Sequence, residues 1–166
     1  MSNLEASKAT GIHQQLSRLA GNWQGHMKTW FGTDNLVNEA LINGTIRPVA
    51  EGKYMMHEYK SSFENKPFEG IAIYGYDLAL KKFESAWIDS FHTGTAIMFS
   101  QSEREATDCK MLGSYAYVTP ETEQHWGWRT HIELKRDDEL VITAYNISPE
   151  GEESKATEIV YHRTAE

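Results

Sequence analysis

Leu16-Ser17-Arg18-Leu19-Ala20-Gly21-Asn22-Trp23-Gln24-Gly25-His26-Met27-Lys28-Thr29-Trp30-Phe31 changes its apolar period at Gly21. Upstream, Ile12, Leu16, Leu19 and Ala20 recur at helical spacing, so 13–20 reads as a short helix that Gly21 stops. Downstream, Trp23, Gly25, Met27, Thr29 and Phe31 share one mostly apolar face, and Gln24, His26 and Lys28 share the other. That alternation is what a half-buried strand requires. The chain thus begins with a short helical lid or plug and then turns to β-structure.

The same period continues to the C-terminus. Turn chemistry at Gly32-Thr33-Asp34-Asn35, Glu64-Asn65-Lys66-Pro67, Thr119-Pro120-Glu121, Arg136-Asp137-Asp138 and Ser148-Pro149-Glu150-Gly151 separates β-rich runs. Candidate strands fall near 21–31, 37–47, 53–63, 67–76, 82–90, 93–101, 105–117, 124–135, 139–147 and 155–163. About ten strands without crossover helices make an antiparallel meander. Left open, such a sheet would expose two long edges and one apolar face, and closure into a barrel removes both, with a sandwich as the competing solution. The expectation is an all-β, closed up-and-down barrel. It forms one domain over 11–163, with 1–10 a flexible N-terminal tail and 164–166 loose.

At 166 residues one domain buries about two-thirds of its unfolded surface, enough for a core without staples. Cys109 is the only cysteine, so no intrachain disulfide can form and a reducing cytoplasm fits best. The start, Met1-Ser2-Asn3-Leu4-Glu5-Ala6-Ser7-Lys8, lacks the basic and apolar regions of a secretory signal, and no apolar run nears the ~20 residues of a membrane-spanning helix. The net charge of -8 is scattered, and Lys81-Lys82 is the only adjacent basic pair, which argues against nucleic acid as a partner. The charge is read as keeping a small protein in solution.

Gly21-Asn22-Trp23 after a short helix, with Arg163 on the last strand, resembles the start and end of the lipocalins and their calycin relatives. In those barrels the resemblance implies that the tryptophan closes one end and the arginine packs across its ring. Nearly the whole chain, Leu16 to Arg163, also resembles a bacterial calycin-like family classed as a domain of unknown function. The stretches that carry this are Leu19 to Trp23, Pro67-Phe68-Glu69-Gly70, Tyr74-Gly75-Tyr76-Asp77, Ser85 to Ser90 and Glu158 to Arg163. Ala20 stands where that family more often has valine. The resemblance implies a fold and a pocket, names no reaction, and supplies no role for His57 or His92.

Trp87 and Asp89 are two apart and share a face with Phe83 and Ser85. Inside a barrel, burial would raise the Asp89 pKa unless a cation or donors compensated, and Arg129 is the candidate partner. The alternative is that Asp89 ends its strand and satisfies turn amides. On 53–63, Met55, His57, Tyr59 and Phe63 share one face and Tyr54, Met56, Glu58 and Lys60 the other, and parity leaves open which looks inward. Glu58 could be a general base and Tyr59 a donor, or the group could be a satisfied interior hydrogen bond. Trp126 and Trp128 alternate against Arg129 and His131, and either floor a pocket or pack a core. Tyr145 shares a face with Val141 and Thr143, where a phenol could meet a ligand.

Seven histidines raise the question of metal and haem. No H-x-H, H-E-x-x-H or paired-cysteine spacing supports a metal site. Haem needs only one axial histidine, for which His57, His92, His131 and His162 are the candidates, although each is more often a surface or core residue. Nucleophilic catalysis finds no G-x-S-x-G elbow and no histidine beside Cys109. The expected function is binding of a small apolar or aromatic molecule, without cofactor, by Glu58, Tyr59, Trp87, Asp89, Arg129 and Tyr145. Three alternatives stand beside it: a cofactor-free isomerase, cyclase or lyase using Asp89 or Glu58 as base; a haem barrel; and a homodimer covering Trp30, Trp126 or Trp128. Catalytic residues are unassigned, and no membrane partner is expected.

Overall fold

The structure, a computed structural model, describes residues 2–165. Met1 and Glu166, at the ends of the two expected tails, lie outside the described residues. Ten strands follow two short helices: β1 (Gly21–Trp30), β2 (Leu36–Val49), β3 (Tyr54–Phe63), β4 (Lys66–Asp77), β5 (Lys82–Asp89), β6 (Met98–Gln101), β7 (Cys109–Val118), β8 (Glu123–Arg136), β9 (Glu139–Ile147) and β10 (Glu153–Arg163). Each pairs antiparallel with its chain neighbours, and β10 returns to β1 with Trp23 opposite Arg163 and Thr29 opposite Thr157. The result is a closed up-and-down barrel, which leaves no sheet edge to cap. β6 is shorter than expected, since 90–97 form a loop, and only Ser100–Gly113 and Gln101–Leu112 pair it with β7.

Helices α1 (Asn3–Thr10) and α2 (Ile12–Ser17) close one end. The first corrects the expectation of a flexible tail. Ser2 and Glu5 form a reciprocal capping box, so polar side chains start a helix that has no apolar stripe to announce it. Its buried Ser7 bonds His13 Nδ1 at 2.9 Å, fastening α1 to α2. Beneath the helices Trp23 is fully buried and donates Nε1–H to the Leu19 carbonyl at 2.9 Å. The Arg163 guanidinium stands 4.3 Å from the Trp23 ring centre and donates to the carbonyls of Arg18, Ala20 and Asp137. Gly21, at φ 148°, leaves the space that Arg163 Nη1 fills; a Cβ there would overlap it. At the far end Phe31, Phe63, Phe91 and Phe68 stack in sequence, with centroids 4.6 to 5.6 Å apart.

Candidate functional site

Inward parity is settled strand by strand by which face is buried. On β3 it is Met55, His57, Tyr59 and Ser61 that look inward, and on β5 Phe83, Ser85, Trp87 and Asp89. Tyr59, Trp87 and Asp89, three of the expected site residues, therefore meet inside. Glu58, Arg129 and Tyr145 do not, and the expectation that they line the lumen is corrected. Each sits one residue out of phase with the buried face of its strand. Glu58 pairs outside with Arg47 at 3.2 Å, and Arg129 pairs with Glu153 while lying over the outward Tyr145 ring.

Two polar assemblies cross the lumen. In the first, Trp87 Nε1 donates to Tyr59 Oη at 2.7 Å, and Tyr59 in turn donates to Asp89 Oδ2. The other carboxylate oxygen accepts the amides of Phe91 at 2.7 Å and His92 at 2.8 Å. Asp89 is thus both a lumen residue and the anchor of the loop that follows it. Burial pushes its pKa up, but the His92 ring, the Tyr59 hydroxyl and the His92 amide outweigh burial and hold the carboxyl below its ordinary range. Burial, and then the Asp89 charge, push the Tyr59 phenol well up. Arg129 plays no part; the compensation comes from His92 and Tyr59.

The second assembly centres on His57, which is only 1% exposed. Its Nδ1 lies 2.9 Å from Tyr74 Oη and its Nε2 2.9 Å from Tyr161 Oη. Burial lowers the His57 pKa to about 3, so the ring is neutral. Burial also raises the phenols of Tyr74 and Tyr161.

Between these assemblies lies a chamber of about 60 Å³. His57, Tyr59 and Tyr74 form one side, and Ser85, Ser100, Thr130 and Thr157 add hydroxyls that can donate or accept. The stacked indoles of Trp87 and Trp128, 5.4 Å apart, stand at it with His92. His92 differs from every other polar side chain inside. Its ring nitrogens are sealed from solvent, yet neither makes a hydrogen bond among the described residues. Nδ1 comes within 3.0 Å of Asp89 Oδ1 without being aligned for one, so the ring acts on the carboxylate through proximity rather than as a directed donor. In the sequence His92 stands out only as a possible haem ligand, and nothing there marks Tyr74, Ser100, Thr130 or Thr157 as site residues. The signal for His92 was present in Asp89-Ser90-Phe91-His92, where an aspartate ending a strand accepts the amides two and three residues on.

A larger depression of about 1030 Å³ lies on the outer face of β1 to β5, floored by the backbone at Gly44 and Gly70. Its walls are hydrogen-bonded to one another, as in Gln24–Asn43 at 2.7 Å and Asn22–Thr45 at 3.2 Å. The unsatisfied histidine lies on the inner side of the wall, so the chamber is the better candidate.

The chemistry within reach is narrow. Glu58 is outside, so of the two carboxylates of the enzymatic alternative only Asp89 lies inside, with both oxygens engaged by Tyr59 and the Phe91 and His92 amides. The haem alternative fares no better: both His57 nitrogens are engaged, His131 pairs with Glu133 at 2.9 Å, and His162 is exposed on β10. His92 is free, but its chamber is far below the ~300–1,000 Å³ of pockets that hold large ligands. No group of three or more metal-ligating side chains converges among the described residues. Cys109, its thiol pushed up to about 12 by burial, is unreactive.

No curated protein matches the sequence. In fold, the barrel is similar to the crystal structure of Rv2717c from M. tuberculosis, with a TM-score of 0.57 and 16% identity over 92% of this chain and 96% of that one. Residues 8–163, the barrel with its capping helix α2, match the family described as "Protein of unknown function (DUF1579)", and the chain belongs to that family.

Proposed function

We propose that the barrel is a receptor for a small ligand, held in the chamber beside Trp87 and Trp128 and recognised by His92. The observation that carries this is the pair of solvent-sealed His92 nitrogens without hydrogen bonds. An unpartnered buried polar group costs free energy, and a molecule in the chamber would supply the partner. The volume of about 60 Å³ revises the ligand class: a few heavy atoms with a hydrogen-bonding group, rather than a large apolar or aromatic molecule. The order of Gly21-Asn22-Trp23, ten strands and Arg163 supports kinship with calycins, whose interiors bind ligands. The test is extraction of the protein under native conditions from its own host, followed by mass analysis of what denaturation releases. One small molecule released stoichiometrically from the wild type and not from His92→Phe is the expected result. Equal release from both, or none from either, would refute the reading.

A second reading, self-association, rests on a different observation. Trp126 and Trp128 point inward, and Trp30 lies half-buried under Lys155 on the outside. Six exposed apolar side chains lie on β4 to β7 and the loop before β6, namely Ile71, Ile88, Ile97, Phe99, Leu112 and Val118, with Phe99 70% exposed, while Phe31, Leu36 and Leu41 are exposed at β1 and β2. This is also the wall with the sparsest strand pairing, so we propose a second copy of this chain as its cover. Sedimentation velocity should show a dimer that Phe99→Lys converts to monomer. A wild type monomeric at all concentrations ends this reading.

A further inference from the structure

The neutral His57 ring has one N–H and one lone pair, yet a tyrosine hydroxyl stands 2.9 Å from each nitrogen. One phenol must therefore donate to the ring and the other accept from it, and the accepting phenol keeps a proton that needs another acceptor. If Tyr161 were the one to accept, its own proton would be stranded. Tyr161 is 0% exposed, does not line the chamber, and packs so tightly on Gly44 that a Cβ there would overlap its hydroxyl. Tyr74 is placed differently, because its side chain lines the chamber. A proton left over on Tyr74 can be taken by whatever fills that space. A stranded buried donor disfavours the first arrangement by roughly tenfold or more.

We propose that Tyr161 donates to His57 Nε2, that His57 Nδ1–H donates to Tyr74, and that the Tyr74 hydroxyl is thereby turned into the chamber to select ligands carrying an acceptor oxygen, a carbonyl or carboxylate. The ligand clause rests on the chamber reading above; the tautomer clause stands without it. Gly44 and Tyr161 set the direction of the whole relay from outside the chamber. With His57 donating to Tyr74 Oη, the phenol's own O–H is the group left without a partner, and it calls for an acceptor on the ligand. A purely hydrocarbon guest would leave that proton unsatisfied.

The test uses full-length protein with ¹⁵N-labelled histidine at pH 7, with His57 assigned by its loss in His57→Gln. The proton is expected on Nδ1 in the wild type and also in Tyr74→Phe, where moving it to Nε2 would strand the Tyr161 proton. A wild-type proton on Nε2 overturns the proposal, whether or not any variant folds. Acetone is then titrated, with its hydrocarbon isostere isobutene as control. Acetone should shift the His57 and Tyr74 signals, and bind at least tenfold more weakly to Tyr74→Phe. Equal acetone binding by wild type and variant overturns the donor clause and leaves the chamber reading standing. If neither probe enters, the chamber reading falls together with the ligand clause, and the nitrogen spectrum alone decides the relay.

Discussion

His57 and Asp89 both titrate below their ordinary ranges, and both make the fold sensitive to acid. An unfolded histidine takes a proton near pH 6.5, whereas His57 in the barrel resists until about 3. The unfolded state therefore binds the proton first. Stability is complete above pH 6.5 and should fall by about 1.4 kcal/mol per pH unit from there down to about 3. The Asp89 carboxylate, held below its usual value, adds a loss that begins only near pH 4. His13, lowered by burial and then by Lys8, adds to the loss that sets in as pH falls below 6.5. Urea midpoints at pH 7, 5.5 and 4.5 test the sign, with His57→Gln expected to flatten the decline. A wild-type midpoint constant between pH 6.5 and 4.5 would contradict a buried neutral imidazole. Tyr59→Phe strips one donor from a buried carboxylate and the acceptor from the Trp87 N–H, at a cost of about 2–3 kcal/mol. In a barrel of this length that corresponds to a melting temperature lower by roughly 5–10 °C. A change under 2 °C would show that the chain from Trp87 to Asp89 does not secure the loop.

The strands place these side chains through a cross-strand row. Trp23, Gly44, Tyr59, Gly70 and Asp89 stand opposite one another from β1 to β5, so glycine alternates with large or charged residues. The Tyr59 phenol lies over Gly70 and the Tyr161 phenol over Gly44, and a Cβ at either would overlap the hydroxyl. Gly70→Ala is expected to cost about 1–3 kcal/mol, read by chemical denaturation. An unchanged midpoint would mean that Tyr59 has room to move. Here the limits of the sequence become physical. Alternation located all ten strands, because side-chain period is a local property. It could not choose between His57 and Glu58 as the inward residue, since both faces of β3 mix apolar and polar groups. That choice is made by neighbouring strands, whose inner positions hold Gly44 and Ala72 beside His57 and Tyr59. Charge alone pairs Arg129 with Asp89, but the phase of β8 puts Arg129 outside against Glu153. Helix α1 has no apolar periodicity to mark it, because its reason to form is a capping box.

Closure joins the two ends of the molecule at one point. Arg163, from the last strand, binds carbonyls at the end of the helical segment and in the β8–β9 turn while lying over Trp23 from the first strand. Arg163→Ala should destabilise the barrel by about 2–4 kcal/mol, three charge-assisted hydrogen bonds and a cation–π contact being lost together. Amide exchange should accelerate first in α2 and β1, and a loss confined to β10 would disagree with a shared latch. The β1–β10 seam has a consequence during synthesis. Trp23 leaves the ribosome some 140 residues ahead of Arg163, at about 5–20 residues per second. For roughly 7–28 seconds of synthesis β1 has no β10 to pair with. A chaperone that holds strand edges has that interval in which to act, and a transcript cut short before β10 would release a product whose first strand is available to pair with another copy.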